Sequence, residues 1–291
     1  MNAARYLGAH CSVSGGLYRA VERIEGLSGT ALQIFTRNQR QWKASPVKDQ
    51  EAEQFRQALQ QWGDYPVLSH DSYLINLASP DREILKKSVQ AFAGELKRCA
   101  LLGIPGLVTH PGAHKGQGLD KGLQAYVRAL NEALDLALQQ CPESADVQVL
   151  LETTSGQGTV LGSTFQELDF IISTSKNSDR LGVCFDTCHV FAAGYDMRTR
   201  ASYNATMQTL DSTVGLQRVQ AVHLNDSSYE LGSRGDRHVH IGKGEMGLEP
   251  FRQILNDPRF YDVPMVIETP KDKAGKWDQA NLNLLRGLVK Q

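Results

Sequence analysis

Seven short apolar runs in this chain each end on a side chain that can bind a metal or move a proton: His10, His70, His110, Glu152, Asp186, His223 and Glu268. All eight histidines (His10, His70, His110, His114, His189, His223, His238 and His240) fall at such an end or in the loop just after it. None falls in a segment of helical period. One such histidine or acid is ordinarily satisfied by a cap or loop hydrogen bond, but the recurrence asks for a shared cause. Carboxylates in an apolar setting are costly unless paired, protonated or bound to cations, and imidazole with carboxylate suits zinc, iron or manganese. The set therefore reads as a multinuclear metal site whose nitrogen and oxygen donors leave room for an activated water. Cysteine takes no part, because Cys184 and Cys188 flank Asp186 without a Cys-x-x-Cys pair and read as buried packing residues.

The stretch GSRGDRHVHIGKGEMG at 232–247 carries three signals. Asp236, His238 and His240 alternate as metal ligands do on extended backbone, where every second side chain faces the same way. Arg234-Gly235-Asp236 matches an adhesion tripeptide. The glycines at 242, 244 and 247 match G-x-G-x-x-G, but no acid closing a dinucleotide-binding unit follows about 20 residues later at a strand end, so a flexible turn is the better reading.

The elements that must position these side chains are short β-branched runs at 5–12, 31–36, 66–71, 106–111, 147–153, 181–187, 219–226 and 263–269. Between them lie helix-period segments such as 81–103, with Ile84, Val89, Phe92, Leu96 and Leu101 in step, and 120–140, rich in Ala and Leu. Near-continuous apolar strands alternating with helices imply a parallel sheet covered on both faces. Eight such units predict a single (β/α)8 TIM barrel over 1–291, with a doubly wound open sheet as the competitor. In a barrel the carboxyl ends of the strands share one face, so the seven terminal side chains meet there.

Composition bounds the function. A chain of 291 residues with 41% hydrophobic residues fills one large core. There is no apolar signal core and no membrane-length apolar run, and five cysteines suit reduced thiols better than a disulfide framework. These features predict a cytoplasmic protein and weaken the adhesion match. A formal charge of -1 provides no general basic field, so any nucleic-acid contact must come from a local patch.

Several motifs together resemble endonuclease IV, the trinuclear-zinc apurinic/apyrimidinic endonucleases of base-excision repair. They are GAHCSVSGG at 8–16, FTRNQRQW at 35–42, HDSYLINL at 70–77, THPGAH at 109–114, LETTSGQG at 151–158, FDTCHVFAAGYD at 185–196, HLND at 223–226, GSRGDRH at 232–238 and IET at 267–269. The resemblance runs almost end to end. It implies three Zn2+ per chain, with Mn2+ or Fe2+ as a substitute at one site. His70, His110 and Glu152 would hold the first; Glu152 would bridge to a second held also by Asp186, His223 and Glu268; His189, Asp236 and His238 would hold the third. Glu152 and Glu268 are then the catalytic pair, the former bridging and the latter orienting a nucleophilic hydroxide or taking its proton. His10, His114 and His240 remain outside, as supporting or capping residues.

The implied substrate is double-stranded DNA with abasic sites or blocked 3′ ends, bound by a monomer. Arg37, Asn38, Gln39, Arg40 and Trp42, followed by Lys43, form a loop able to hold phosphates and wedge a base stack, while Tyr73 and Leu74 could fill the space of an extruded nucleotide. Ser228 stands where the resemblance leads one to expect a basic residue after HLND, and Lys243 where acids are common among relatives, so that region departs from the family pattern. Two other readings stay open: a two-metal sugar isomerase of the xylose-isomerase-like type, and a non-enzymatic DNA- or metal-binding protein.

Overall fold

The computed structural model describes residues 5–272 and 275–290; residues 1–4, 273–274 and 291 of the expected 1–291 domain lie outside the described residues. Eight strands are parallel and close on themselves: β1 (Leu7–His10), β2 (Ala31–Phe35), β3 (Val67–His70), β4 (Gly106–Thr109), β5 (Gln148–Glu152), β6 (Leu181–Asp186), β7 (Val219–His223) and β10 (Met265–Ile267). Closure is explicit, since β1 pairs with β2 on one side and β10 on the other. That removes the open-sheet competitor. Nine α-helices lie among the described residues: α1 (Tyr18–Gly26), α2 (Asp49–Trp62), α3 (Arg82–Leu102), α4 (Leu119–Gln140), α5 (Phe165–Thr174), α6 (Thr187–Ala193), α7 (Arg200–Thr213), α8 (Glu249–Leu255) and α9 (Lys276–Leu288). A short antiparallel ribbon, β8 (Asp226–Ser227) with β9 (His238–Val239), follows β7.

Every expected strand is present and each is shorter than its apolar run. The run at 219–226 divides, because β7 ends at His223 and Asp226 opens the ribbon. Around 81–103 the Asp81 carboxylate accepts from the amides of Glu83 and Ile84, and Gly103 at φ 72° ends α3 in the left-handed region. Val89, Phe92 and Leu96 of its expected stripe are buried, but Ile84 and Leu101 are each 39% exposed. Leu101 is nine residues beyond Phe92, two and a half turns at about 3.6 residues per turn, which puts it on the far face.

Strand alternation sets the height of the site. Leu68, Val108, Leu150, Cys184 and Ala221 form a compact apolar cluster of their own. Each stands two residues before a polar candidate, respectively His70, His110, Glu152, Asp186 and His223. With a period of two, both members of each pair face the barrel interior. The polar ring thus rests on an apolar plug, which denies it water from below.

Candidate metal centre

The donor atoms fall into three main groups, each with its atoms within 4.8 Å of one another: His70, His110 and Glu152; Glu152, Asp186, His223 and Glu268; His189, Asp236 and His238. Glu152 belongs to two of them. It is wholly buried at the end of β5, with Oε2 3.0 Å from Nε2 of both His70 and His110, and Oε1 3.0 Å from Nδ1 of His223. A fourth combination, Asp186, Cys188 and His238, is geometrically close. Burial pushes the Cys188 thiol up to about 12, so in the absence of a cation it stays protonated.

Hydrogen bonds on the outer ring nitrogens fix which nitrogen is free. His70 donates from Nδ1 to the Asp71 carbonyl at 3.0 Å, and His189 from Nδ1 to the Thr153 carbonyl at 2.8 Å. His223 donates from Nε2 to Gln33 Oε1 at 2.8 Å. Each is left with a lone pair aimed at carboxylates. His189 Nε2 faces Asp236 Oδ1 at 3.2 Å and His238 Nε2 at 3.4 Å. Lone pairs converging on anions repel unless positive charge lies among them. Among the described residues none of Glu152, Asp186, Asp236 or Glu268 is in an ion pair with Lys or Arg. Charge must therefore come from protons or metal cations, and this donor set fits cations of the imidazole- and carboxylate-binding kind.

The titration behaviour has the same cause. Burial disfavours the imidazolium of His70, yet the hydrogen bond and charge of Glu152 outweigh it and raise its pKa to about 9. Burial likewise opposes charge on His189 and His223, and both are nonetheless raised well above the ordinary value, His189 by Asp186, Asp236 and Glu152, His223 by Cys184, Glu268 and Glu152. Glu152 and Glu268 are held well below the carboxylate range against their burial, chiefly by the imidazoles.

His189 corrects one expectation. It lies in the first turn of α6 and not in a loop, because the Asp186 carboxylate caps that helix by accepting from the His189 amide at 2.8 Å. One aspartate thereby ends β6, starts α6 and presents Oδ2 to the cluster, where Asn225 Nδ2 holds it at 2.7 Å. The loop carrying Asp236 is tied to the same helix through the amides of Gly232 and Arg234, which donate to Phe191 and Ala192 carbonyls. The Gly-rich turn at 242–247 wraps an internal anion. Gly244 and Met246 amides donate to the Asp226 carboxylate at 2.9 and 3.2 Å, and a Cβ on Gly244 would lie 2.2 Å from the Ser227 carbonyl oxygen.

The remaining histidines are accounted for nearby. His114 Nδ1 accepts the Gly118 amide before α4, His240 stacks on Trp277, and His10 lies 3.3 Å from Glu268 Oε1. Cys184 and Cys188 are wholly buried. Gln33 and Asn225, both wholly buried, went unassigned in the sequence, although Asn225 sits inside HLND.

The centre opens into a cavity of about 520 Å³ lined by His10, Tyr73, Asp236, Arg237, Glu268 and Lys271, among others. Tyr73 stands at its edge, 74% exposed and edge-on to Phe35, with Leu74 half-buried beside it. In the loop after β2, Asn38 and Arg40 are exposed, and Gln39 and Trp42 half-buried. Arg37 is placed differently from its expected surface role. Its side chain is 5% exposed and its Nε lies 2.8 Å from Glu95 Oε1 of α3, so its charge is engaged inside the fold.

A parallel barrel with a carboxylate- and histidine-lined mouth defines a class, and the chain matches the family described as xylose isomerase-like TIM barrel over residues 21–288. Within that class the similarities are specific. The chain is 50% identical over 282 residues to a Chloroflexus aurantiacus protein called "Probable endonuclease 4", covering 97% of each, and 50% identical over 283 residues to one of that name from Trichlorobacter lovleyi, covering 97% of this chain and 99% of the other. The crystal structure of endonuclease IV from Thermus thermophilus superposes with a TM-score of 0.84 at 35% identity, covering 98% of both chains. This chain belongs to the endonuclease IV family. A D-tagatose 3-epimerase-like protein, at TM-score 0.72 and 19% identity, shares the barrel alone.

Proposed function

We propose that this chain is a DNA-repair endonuclease that hydrolyses the phosphodiester 5′ to an apurinic/apyrimidinic site, leaving a 3′-hydroxyl and a 5′-deoxyribose phosphate, and that it also clears blocking groups from 3′ ends. The observation that carries this reading is the donor set: three groups of ligand atoms, two sharing Glu152, at the mouth of one open cavity. A two-metal sugar isomerase has no evident use for the group of His189, Asp236 and His238. Nor does a metal store need an open cavity.

His70, His110 and Glu152 would hold one Zn2+, Glu152, Asp186, His223 and Glu268 a second, and His189, Asp236 and His238 a third, with Mn2+ or Fe2+ as a substitute at one of them. When bound, such ions supply positive charge for the reacting phosphate and make water acidic enough to lose a proton near neutral pH. The protein's own part is to hold and to orient. Glu268 has Oε1 anchored by Gln33 at 2.6 Å and directs Oε2 toward His223 at 3.4 Å, which suits it to orient the attacking water and take its proton. Arg40, Trp42, Tyr73 and Leu74, with Asn38 and Gln39, offer charge, amides and apolar surface to a duplex opened at the lesion. The apolar layer beneath strengthens each electrostatic contact above it. No helix among the described residues is long and apolar enough to cross a membrane; the proposed enzyme acts on DNA as a monomer in the cytoplasm.

The test is a nicking assay on a duplex carrying one abasic site, with the matched intact duplex as control. The parent should cut only the former, on the 5′ side, and lose that activity on prolonged chelation. Glu268→Gln, which keeps the shape and removes the base, should lower kcat by about 100- to 10,000-fold. Cutting that survives both treatments would refute the proposal.

A further inference from the structure

Gln33 is a wholly buried amide on β2, between two wholly buried apolar residues, Leu32 and Ile34. Alternation turns its side chain into the barrel, where all its strong partners belong to the centre. Oε1 accepts from His223 Nε2 at 2.8 Å; Nε2 donates to Glu268 Oε1 at 2.6 Å and lies 3.1 Å from His10 Nδ1. The amide has one workable orientation. Turned over, its oxygen would face the Glu268 carboxylate oxygen, 2.6 Å away, with no proton between them.

Two consequences follow from that orientation. By accepting from Nε2, Gln33 holds His223 in the tautomer whose free nitrogen is Nδ1, the atom 3.0 Å from Glu152 and 3.4 Å from Glu268. By donating to Oε1, it leaves Glu268 Oε2 as the oxygen directed at the cluster. We infer that Gln33 is a positioning residue for the nuclease centre, aligning a metal-binding histidine and the proposed base through one amide. The inference rests on the roles of His223 and Glu268 proposed above.

Gln33→Leu keeps the volume and removes both bonds, while Gln33→Glu keeps an acceptor for His223 and loses the donor to Glu268. Metal retention is read without DNA, by competing a zinc chelator against the loaded protein and counting the equivalents released. Losing an outer hydrogen-bond partner of a ligand typically costs about 10- to 100-fold in metal affinity or activity. Gln33→Leu should therefore release one equivalent that much more readily, and lower kcat on the abasic duplex with little change in KM. Gln33→Glu should retain metal better than Gln33→Leu, yet remain slow. Gln253→Leu is the control, since Gln253 is also buried but donates to the Met197 carbonyl and to no residue of the centre. It should leave metal retention at the parent value. If Gln33→Leu does not fold, Gln33→Glu decides, and parent-like retention together with parent-like kcat overturns the inference. So does an equal loss of metal in Gln253→Leu. A parent that binds no metal or cuts no abasic duplex would instead fail the functional proposal itself.

Discussion

Removing the Glu95 carboxylate should unfasten the loop that follows β2. Glu95 is wholly buried, its Oε1 lies 2.8 Å from Arg37 Nε, and its Oε2 accepts from the Thr36 hydroxyl at 2.9 Å. Arg37 also donates to the Trp42 carbonyl at 2.9 Å, and Arg98 donates to the Thr36 hydroxyl and the Ser45 carbonyl. Glu95→Leu leaves the Arg37 charge buried without a partner, a change that costs about 3–5 kcal/mol. At about 2–4 °C per kcal/mol for a chain of this order of size, the melting temperature should fall by roughly 6–20 °C. Burial pushes the Glu95 carboxyl up even against the pull of Arg37, so desolvation of the pair is not fully repaid. Replacing both partners should accordingly recover most of the loss. Arg37→Met with Glu95→Leu sacrifices mainly the bonds to the Trp42 carbonyl and from the Thr36 hydroxyl, about 0.5–1.5 kcal/mol each. Denaturant titration of the parent, both single variants and the double variant closes the cycle, with a coupling at or above the top of the usual range of about 0.5–3 kcal/mol. Glu95→Leu within about 1 kcal/mol of the parent, or a double variant as unstable as the sum of the singles, would refute the reasoning.

Two further outcomes concern the DNA-facing surface. Tyr73→Ala removes an exposed ring, so stability should stay within about 0.5 kcal/mol, while affinity for an abasic duplex should weaken by about 1–3 kcal/mol, the worth of one stacked base; equal affinity in a gel-shift titration would count against its filling the space of the extruded nucleotide. Lys243 is exposed in the Gly-rich turn. If it meets a phosphate, Lys243→Ala should reduce the slope of log affinity against log salt by about 1 for abasic and intact duplex alike, and an unchanged slope would remove it from the DNA path.

What the sequence made legible was governed by local periodicity. The ends of the near-continuous apolar runs located His70, Glu152, Asp186 and His223 without any knowledge of contacts, and the structure supplies the reason: one period of two serves both the apolar plug and the ring above it. His189 was misplaced by a single step. The residue types after β6 suggest a loop, whereas the spacing of Asp186 and His189 is that of an N-cap and the amide it caps. Gln33 was invisible for another reason: a polar residue between Leu32 and Ile34 is also what a half-exposed strand looks like. The Arg37 partner, Glu95, lies 58 positions away on α3, so its pull on the loop is a tertiary fact with no local trace.

Glu152 occupies the middle of five consecutive donor-bearing strands. His70 ends β3 and His110 follows β4, the two strands before β5, and Asp186 and His223 end the two after it, so a central carboxylate can share one oxygen with each side. Glu268 follows β10 and His10 ends β1, which leaves β2 as the strand whose interior side chain lies between an imidazole and a carboxylate. A charged residue there would add to one neighbour's repulsion whatever its sign, and an apolar one would leave the His223 Nε2 donor buried without a partner. A neutral amide can accept on one side and donate on the other. Gln33 is the residue in that position, and closure of the barrel gives its neutrality a function.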